Sequence, residues 1–132
     1  MKSPVLSVDP GEVRIGLAIS DPTRTIARPL EVMRHTSRAA DVLGILERVA
    51  RQGAGAIVVG VAMNSEGEVG PQARRGLRLA EALRQQTSVP VETWDESGST
   101  LAARRGGRDD PMLDARAAAV ILQEYLNAHR PP

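Results

Sequence analysis

A continuous apolar run, Ala56-Ile-Val-Val-Gly-Val61, constrains the fold of this chain more than any other stretch. Apolar residues at every position indicate a strand that is covered on both faces, and such strands are usually parallel members of an α/β sheet. Helical patterns flank the run, one from Thr36 or Ser37 to about Gln52 and one from Pro71 or Gln72 to about Gln86. The sequence therefore predicts an α/β fold in which helices cover a sheet.

Three shorter strands are predicted before this run. The first, Val5 to Val8, stops at Asp9, and Pro10-Gly11 favours a tight turn into a second strand over Val13 to Ser20. A third strand is predicted over Thr25 to Arg34, where Pro29 indicates an edge position or a bulge. The first three strands should therefore form an antiparallel meander, because short turns join them.

The C-terminal part of the chain completes the predicted sheet. A last strand is predicted over Val89 to Glu96, a short helix around Leu101 to Arg105, and a final helix from about Met112 to Ala128. Strands that alternate with helices need crossover connections and should be parallel. The prediction is thus a mixed five-stranded sheet, antiparallel at first and then parallel, flanked by helices.

Several classes of protein are excluded by composition. The 132 residues match a single domain, residues 1–132, and the absence of cysteine excludes disulfides, zinc knuckles and thiol catalysis. One Trp, one Tyr and no Phe argue against a module that stacks single-stranded bases on a sheet. No apolar run approaches a membrane span and no signal-peptide pattern is present, so we expect a cytoplasmic protein without a membrane partner.

Acidic residues stand where strand ends and a helix start should meet. Asp9 follows the first strand, Asp95 and Glu96 end the last strand, and Asp114 lies in the first turn of the final helix. Sites in α/β sheets form beyond the carboxyl ends of the parallel strands, and crowded carboxylates repel unless cations neutralise them. Two Mg²⁺ or Mn²⁺ ions would suit such ligands and would support phosphodiester hydrolysis.

The residue types alone leave alternatives open at each acid. Asp9 is equally well explained as the cap of a turn, and Asp114 as an acid that the helix dipole stabilises. Asp95 and Glu96 point to opposite faces of an extended strand, so only one of them can join Asp9 directly.

The opening stretch resembles the signature of the YqgF/RuvX family: Val8-Asp9-Pro-Gly11-x-x-Arg14-x-Gly16-x-Ala18-x-Ser20-Asp21. The resemblance continues through Val58-Val59-Gly60, Met63-Asn64, Gly67, Gly70, Asp95-Glu96, Ser99-Thr100 and Asp114-x-x-Ala117-Ala118-x-x-Ile121-Leu122. It implies a ribonuclease H-like fold and a nuclease that processes pre-16S rRNA or resolves Holliday junctions. It also implies that Asp9, Glu96 and Asp114 are the catalytic residues and the metal ligands.

Two departures from the family pattern concern the predicted site. Ser97 stands where the family usually has an Arg after Asp-Glu, so a positive side chain beside the metals is missing. Gly60-Val61-Ala62 replaces the usual Gly-Leu-Pro, which should leave that loop less rigid.

Arginines are the candidate substrate-binding residues, because guanidinium groups bind phosphate oxygens in a bidentate way. The candidates fall on the second strand, on one face of the second helix, and in the polar segment before the final helix: Arg14, Arg74, Arg75, Arg78, Arg104, Arg105 and Arg108. The alternatives are a structural ion pair for Arg14 and a solvated helix face for Arg74, Arg75 and Arg78. The net charge of only +1 predicts a weak global field.

Three functions compete at this stage. The preferred one is a metal-dependent endonuclease acting on structured RNA or branched DNA, with a homodimer expected if it cuts junctions symmetrically. The second is a nucleic-acid or ribosome-associated binding module that cleaves little, which the missing Arg at Ser97 keeps open. The third is an actin-like nucleotide-binding protein, which the chain length disfavours because such proteins need a second domain.

Overall fold

A computed structural model of the chain describes residues 2–63, 67–95 and 110–130. Five strands and three helices follow one another in the described part: β1 (Val5–Pro10), β2 (Arg14–Ser20), β3 (Ala27–Arg34), α1 (Arg38–Gln52), β4 (Ala56–Val61), α2 (Pro71–Gln86), β5 (Val91–Asp95) and α3 (Leu113–Ala128). The predicted short helix around residues 101–105 lies outside the described residues. Among these residues, no helix is long and apolar enough to cross a membrane.

The five strands form one mixed sheet in the order β3-β2-β1-β4-β5. The first three strands pair antiparallel, and β4 pairs parallel with both β1 and β5. This confirms the predicted meander followed by parallel strands. Pro29 predicted an edge position or a bulge, and both are found. Strand β3 is an edge strand, and its register with β2 shifts between Leu17 and Ala18.

The two faces of the sheet are covered by different helices. Leu6 and Val8 of β1 point into a core that α1 and α2 complete. Val5 points the other way, into a second core made with α3. Alternation along β1 therefore places Ser7 and Asp9 on the α3 side of the sheet.

Helix α1 begins and ends as its sequence predicts. The Ser37 hydroxyl accepts a hydrogen bond from the Ala40 amide at the N-cap. Gly53 adopts the left-handed conformation (φ 65°) that ends the helix, which glycine reaches without steric cost.

Helix α2 has the predicted length, and its buried face includes a glycine. Its buried residues are Ala73, Gly76, Leu79, Ala80 and Leu83, whereas Leu77 is 38% exposed. A Cβ at Gly76 would lie 2.8 Å from the Gly60 carbonyl oxygen. The helix therefore turns its glycine toward β4, because only a residue without a side chain allows this close approach.

Candidate active site

Asp9 is a buried carboxylate at the carboxyl end of β1. Its exposed fraction is 2%, and its register partner on β2 is Gly16. It points to the α3 side of the sheet, as does Ser7, whose Oγ donates a hydrogen bond of 2.8 Å to the Ala118 carbonyl oxygen of α3. The structure therefore directs Asp9 toward the start of α3.

Gly16 allows α3 to approach Asp9. A Cβ at Gly16 would lie 1.9 Å from the carbonyl oxygen of Asp114, so the first turn of α3 rests directly on this glycine. Because Gly16 and Asp9 are opposite each other on paired strands, Asp114 is brought beside Asp9. The two acids line one cleft of about 320 Å³.

Arg14 forms an ion pair inside this cleft. Its Nε donates a hydrogen bond of 2.8 Å to Oδ2 of Asp114, and the two side chains are 61% and 24% exposed. Of the two roles that the sequence left open for Arg14, the ion pair is thus observed. Its partner, however, is a predicted metal ligand, so the pair belongs to the site.

Three of the four arginines of α2 are candidate substrate contacts, and one of them reaches the cleft. Arg75 lines the cleft and its guanidinium lies 3.2 Å from the Glu12 carboxylate. Arg74, Arg75 and Arg78 together line a neighbouring depression. The three therefore share one surface, because residues three and four apart are neighbours on a helix, and Arg75 alone among them also lines the cleft.

The packing of β5 shows on which face of the sheet Asp95 lies. Val91 packs into the α1–α2 core, and Trp94 packs against α3. Alternation then places Asp95 on the α1–α2 side, opposite to the face that carries Asp9. Glu96, Ser97, Arg104, Arg105 and Arg108 lie outside the described residues.

Two cleft residues were missed at the level of sequence. Glu12 lies in the turn after Asp9, and Gln72 lies in the first turn of α2. Only their positions in the sequence indicated the site, because each residue follows a strand that ends at the same edge of the sheet as Asp9. Neither residue type is diagnostic of a site, so position alone did not distinguish them from loop residues.

The donor chemistry of the cleft suits a hard divalent cation. Asp9 and Asp114 supply carboxylate oxygens, which Mg²⁺ and Mn²⁺ prefer over nitrogen or sulfur ligands. No group of three or more His, Asp or Glu side chains that could hold a metal is found within residues 2–63, 67–95 and 110–130. The described part of the site thus provides two candidate carboxylate ligands, Asp9 and Asp114, while the third carboxylate of the cleft, Glu12, pairs with Arg75.

The family described as RuvX: Holliday junction resolvase matches residues 3–128 of the sequence. The chain belongs to the RuvX family. A relative from Anaeromyxobacter sp. (strain Fw109-5), named "Putative pre-16S rRNA nuclease", is 41% identical over 130 residues, which cover 92% of this chain and 95% of the relative. A relative of the same name from Rubrobacter xylanophilus is 44% identical over 131 residues, covering 92% and 91%.

Solved structures show the fold of this RuvX chain. Thermus thermophilus RuvC in complex with a Holliday junction substrate superposes with a TM-score of 0.61 at 18% identity, covering 96% of this chain and 94% of RuvC. The fowlpox virus Holliday junction resolvase superposes with a TM-score of 0.56 at 11% identity, covering 95% and 99%. The fold is therefore ribonuclease H-like, as the family resemblance implied, and the chain is a member of a nuclease family.

Proposed function

We propose that this RuvX protein is a metal-dependent endonuclease that hydrolyses phosphodiester bonds in structured nucleic acid. One observation carries the proposal. The buried Asp9 at a strand end and Asp114 at a helix start line the same cleft, with Arg14 and Arg75 beside them. Paired carboxylates next to guanidinium groups combine cation ligands with phosphate-binding groups, which is the chemistry that phosphodiester hydrolysis requires.

Asp9, Glu96 and Asp114 are the proposed ligands of two Mg²⁺ or Mn²⁺ ions. Strand alternation favours Glu96 over Asp95, because Asp95 follows Trp94 onto the face opposite to Asp9. When bound, such ions lower the pKa of a water molecule and stabilise the charge of the leaving oxygen. The metals would also neutralise the repulsion between the carboxylates.

The arginines orient the groups around the reaction. Arg14 holds one oxygen of Asp114 and thereby fixes the direction of that carboxylate. Its guanidinium is 61% exposed, so it can also contact a substrate phosphate. Arg75 is held by Glu12 on the opposite rim. Arg104, Arg105 and Arg108 are proposed as further phosphate contacts from the segment before α3.

The preferred substrate is pre-16S rRNA, cleaved at its 5′ side, because the similar relatives carry that name. Such an enzyme would act in the cytoplasm. The second candidate substrate is a four-way DNA junction, which the family description and the fold of two junction resolvases favour.

The decisive experiment is a cleavage assay on both substrates with Mg²⁺ or Mn²⁺. Asp9→Asn and Glu96→Gln should each lower the cleavage rate by about a hundredfold or more, since losing one of the few groups that stabilise the transition state costs several kcal/mol. Asp95→Asn is the matched control, because it removes the neighbouring carboxylate from the opposite face. It should cleave at close to the wild-type rate.

Three outcomes would contradict the proposal in different ways. If the wild type cuts neither substrate with either metal, the enzyme hypothesis is wrong. If Asp9→Asn cuts as fast as the wild type, the assignment of the site is wrong. If Asp95→Asn is inactive and Glu96→Gln is active, the two neighbouring acids have been assigned in the wrong order.

A further inference from the structure

A depression lined by arginines lies next to the cleft. Its volume is about 440 Å³, and it is formed by Pro71 and by four arginines from two helices: Arg38, Arg74, Arg75 and Arg78. Arg38 is the first residue of α1, and the others belong to the first half of α2. Three of them, Arg38, Arg74 and Arg78, are exposed, and we refer to these three as the arginine surface.

The acids of the two helices are engaged elsewhere. Glu47 of α1 pairs with Arg51, and Glu81 of α2 pairs with Arg84, both toward the C-terminal ends of their helices. Asp41, in the first turn of α1, is buried and pairs with His35. Residues 70–80 contain no acid at all. The helix starts therefore carry concentrated positive charge although the whole chain has a net charge of only +1.

The arginine surface is continuous with the candidate active site. A third depression of about 350 Å³ lies between the two and is lined by His35 and Ser37, among others. It shares Arg75 with the cleft and with the arginine-lined depression, and it shares Arg38 with the latter. An extended polyanion that leaves the cleft past Arg75 would therefore reach Arg38, Arg74 and Arg78.

The backbone adds to this positive field. Helices α1 and α2 both begin at the edge of the sheet where β1 ends just after Asp9, and helix N-termini carry partial positive charge. The first turn of α2 contains no acidic residue that would oppose this charge. Regularly spaced phosphates are the ligand that such an arrangement fits.

We propose that the arginine surface binds the phosphate backbone of the nucleic-acid arm that flanks the cleavage site. The inference rests on the proposed function, since it takes nucleic acid as the substrate. It adds Arg38 as a substrate contact and assigns the flanking arm to the α1–α2 side of the cleft. Contacts to phosphates carry no base information, so binding here is independent of sequence.

The test measures binding without cleavage. An RNA duplex with a single-stranded 5′ extension, labelled with fluorescein, is titrated with Asp9→Asn protein over a range of salt concentrations. The triple variant Arg38→Ala, Arg74→Ala and Arg78→Ala in the same background should bind about 10- to 100-fold more weakly. The slope of log K against log salt should also become shallower by about 2 to 3, roughly one for each lost phosphate contact.

Two control variants separate the surface from net charge and from folding. Arg28→Ala, Arg51→Ala and Arg130→Ala remove the same charge from exposed positions elsewhere and should change affinity less than twofold. The variant with Arg38→Lys, Arg74→Lys and Arg78→Lys keeps the charge and should retain most of the binding and of the salt slope.

Each result decides the inference. It is overturned if the arginine-surface triple binds as tightly as its parent, if both alanine triples weaken binding equally, or if the parent does not bind the duplex. It is supported if the arginine-surface triple weakens binding and the salt slope while the control triple and the lysine variant do not. This holds even when the wild type fails to cleave. In that case the proposed nuclease activity alone would be wrong.

Discussion

Gly16 contributes to the candidate site through the side chain that it lacks. Its missing side chain lets the backbone of Asp114 approach within a distance that no Cβ could tolerate. The same residue is the register partner of Asp9, so its backbone adjoins both Asp9 and the start of α3. A glycine that looks like a simple strand interruption in the sequence thus sets how closely α3 approaches the candidate site.

This predicts a large functional effect of Gly16→Ala. The added methyl group would meet backbone atoms, which cannot rotate away, so the first turn of α3 must shift. A displacement of about 1 Å at a reacting group can cost on the order of a hundredfold in rate. We expect that loss in the cleavage assay, together with about 1–3 kcal/mol lower stability in urea unfolding.

Gly44→Ala is the matched control for this substitution. The nearest atom to a Cβ at Gly44 is the terminal methyl of Met33, at 2.6 Å, which belongs to a flexible side chain. Alanine also favours the helical conformation by up to about 1 kcal/mol, so Gly44→Ala should retain both activity and stability. Wild-type cleavage by Gly16→Ala would show that the close approach is not required.

At the scale of elements, α3 is held against the sheet by side-chain hydrogen bonds to three different strands. Its Asp114 accepts from Arg14 of β2, its Ala118 carbonyl accepts from Ser7 of β1, and its Gln123 accepts from the Ala27 amide of β3. The C-terminal half of the helix packs on β5, where Tyr125 meets Trp94 with ring centroids 5.7 Å apart. These aromatic residues therefore serve packing.

Tyr125 offers a direct test of how tightly α3 packs. Burial, and then a hydrogen bond with Glu92, raise the pKa of its hydroxyl to about 12 from the usual 10.0. Because the folded-state pKa is the higher one, the associated stability is complete below pH 10 and is lost as the pH rises toward 12. Tyr125 is the sole tyrosine, so tyrosinate absorbance reports this group alone.

We expect the folded protein to ionise Tyr125 near pH 12 and the urea-unfolded protein near pH 10. Glu92→Gln removes the carboxylate but not the burial, so the midpoint should fall part of the way. A midpoint near 10 in the folded wild type would mean that the end of α3 is open to solvent.

The elements also show where sequence reasoning succeeds and where it fails. Caps, apolar runs and turn residues are local signals, and they predicted α1, β4 and the meander nearly to the residue. The turn of Gly76 toward Gly60 is a tertiary contact, which the periodicity of α2 does not indicate. That Arg75 reaches the cleft, whereas Arg74 and Arg78 do not line it, depends in the same way on which side of the helix the cleft lies.

The candidate site itself was predicted in part. Asp9 and Asp114 line the same cleft, and the topology explains why: β1 ends and α3 begins at the same edge of the sheet. The pairing of Arg14 with Asp114 spans 100 residues and has no signature in either segment. Patterns of hydrophobicity indicate which residues face a core, but they do not indicate which polar side chains meet across it.

At the scale of the whole molecule, each copy supplies one Asp9 and one Asp114, whereas symmetric junction cleavage needs two cuts. We therefore expect paired cuts in a four-way junction to increase with the square of protein concentration at low concentration. Single-site cleavage of precursor rRNA should increase linearly. Initial rates over a dilution series distinguish the two, and a linear dependence for paired cuts would contradict a requirement for two copies.

The long sequence separation of Arg14 and Asp114 has a consequence for synthesis of the protein. Ribosomes release the chain from its N-terminus, so Asp9 emerges early while α3 emerges last. Until α3 covers Gly16, the cleft lacks Asp114 and one of its walls. A nascent RuvX chain therefore exposes Asp9 before its cleft exists, and the candidate site is assembled only after α3 has left the exit tunnel.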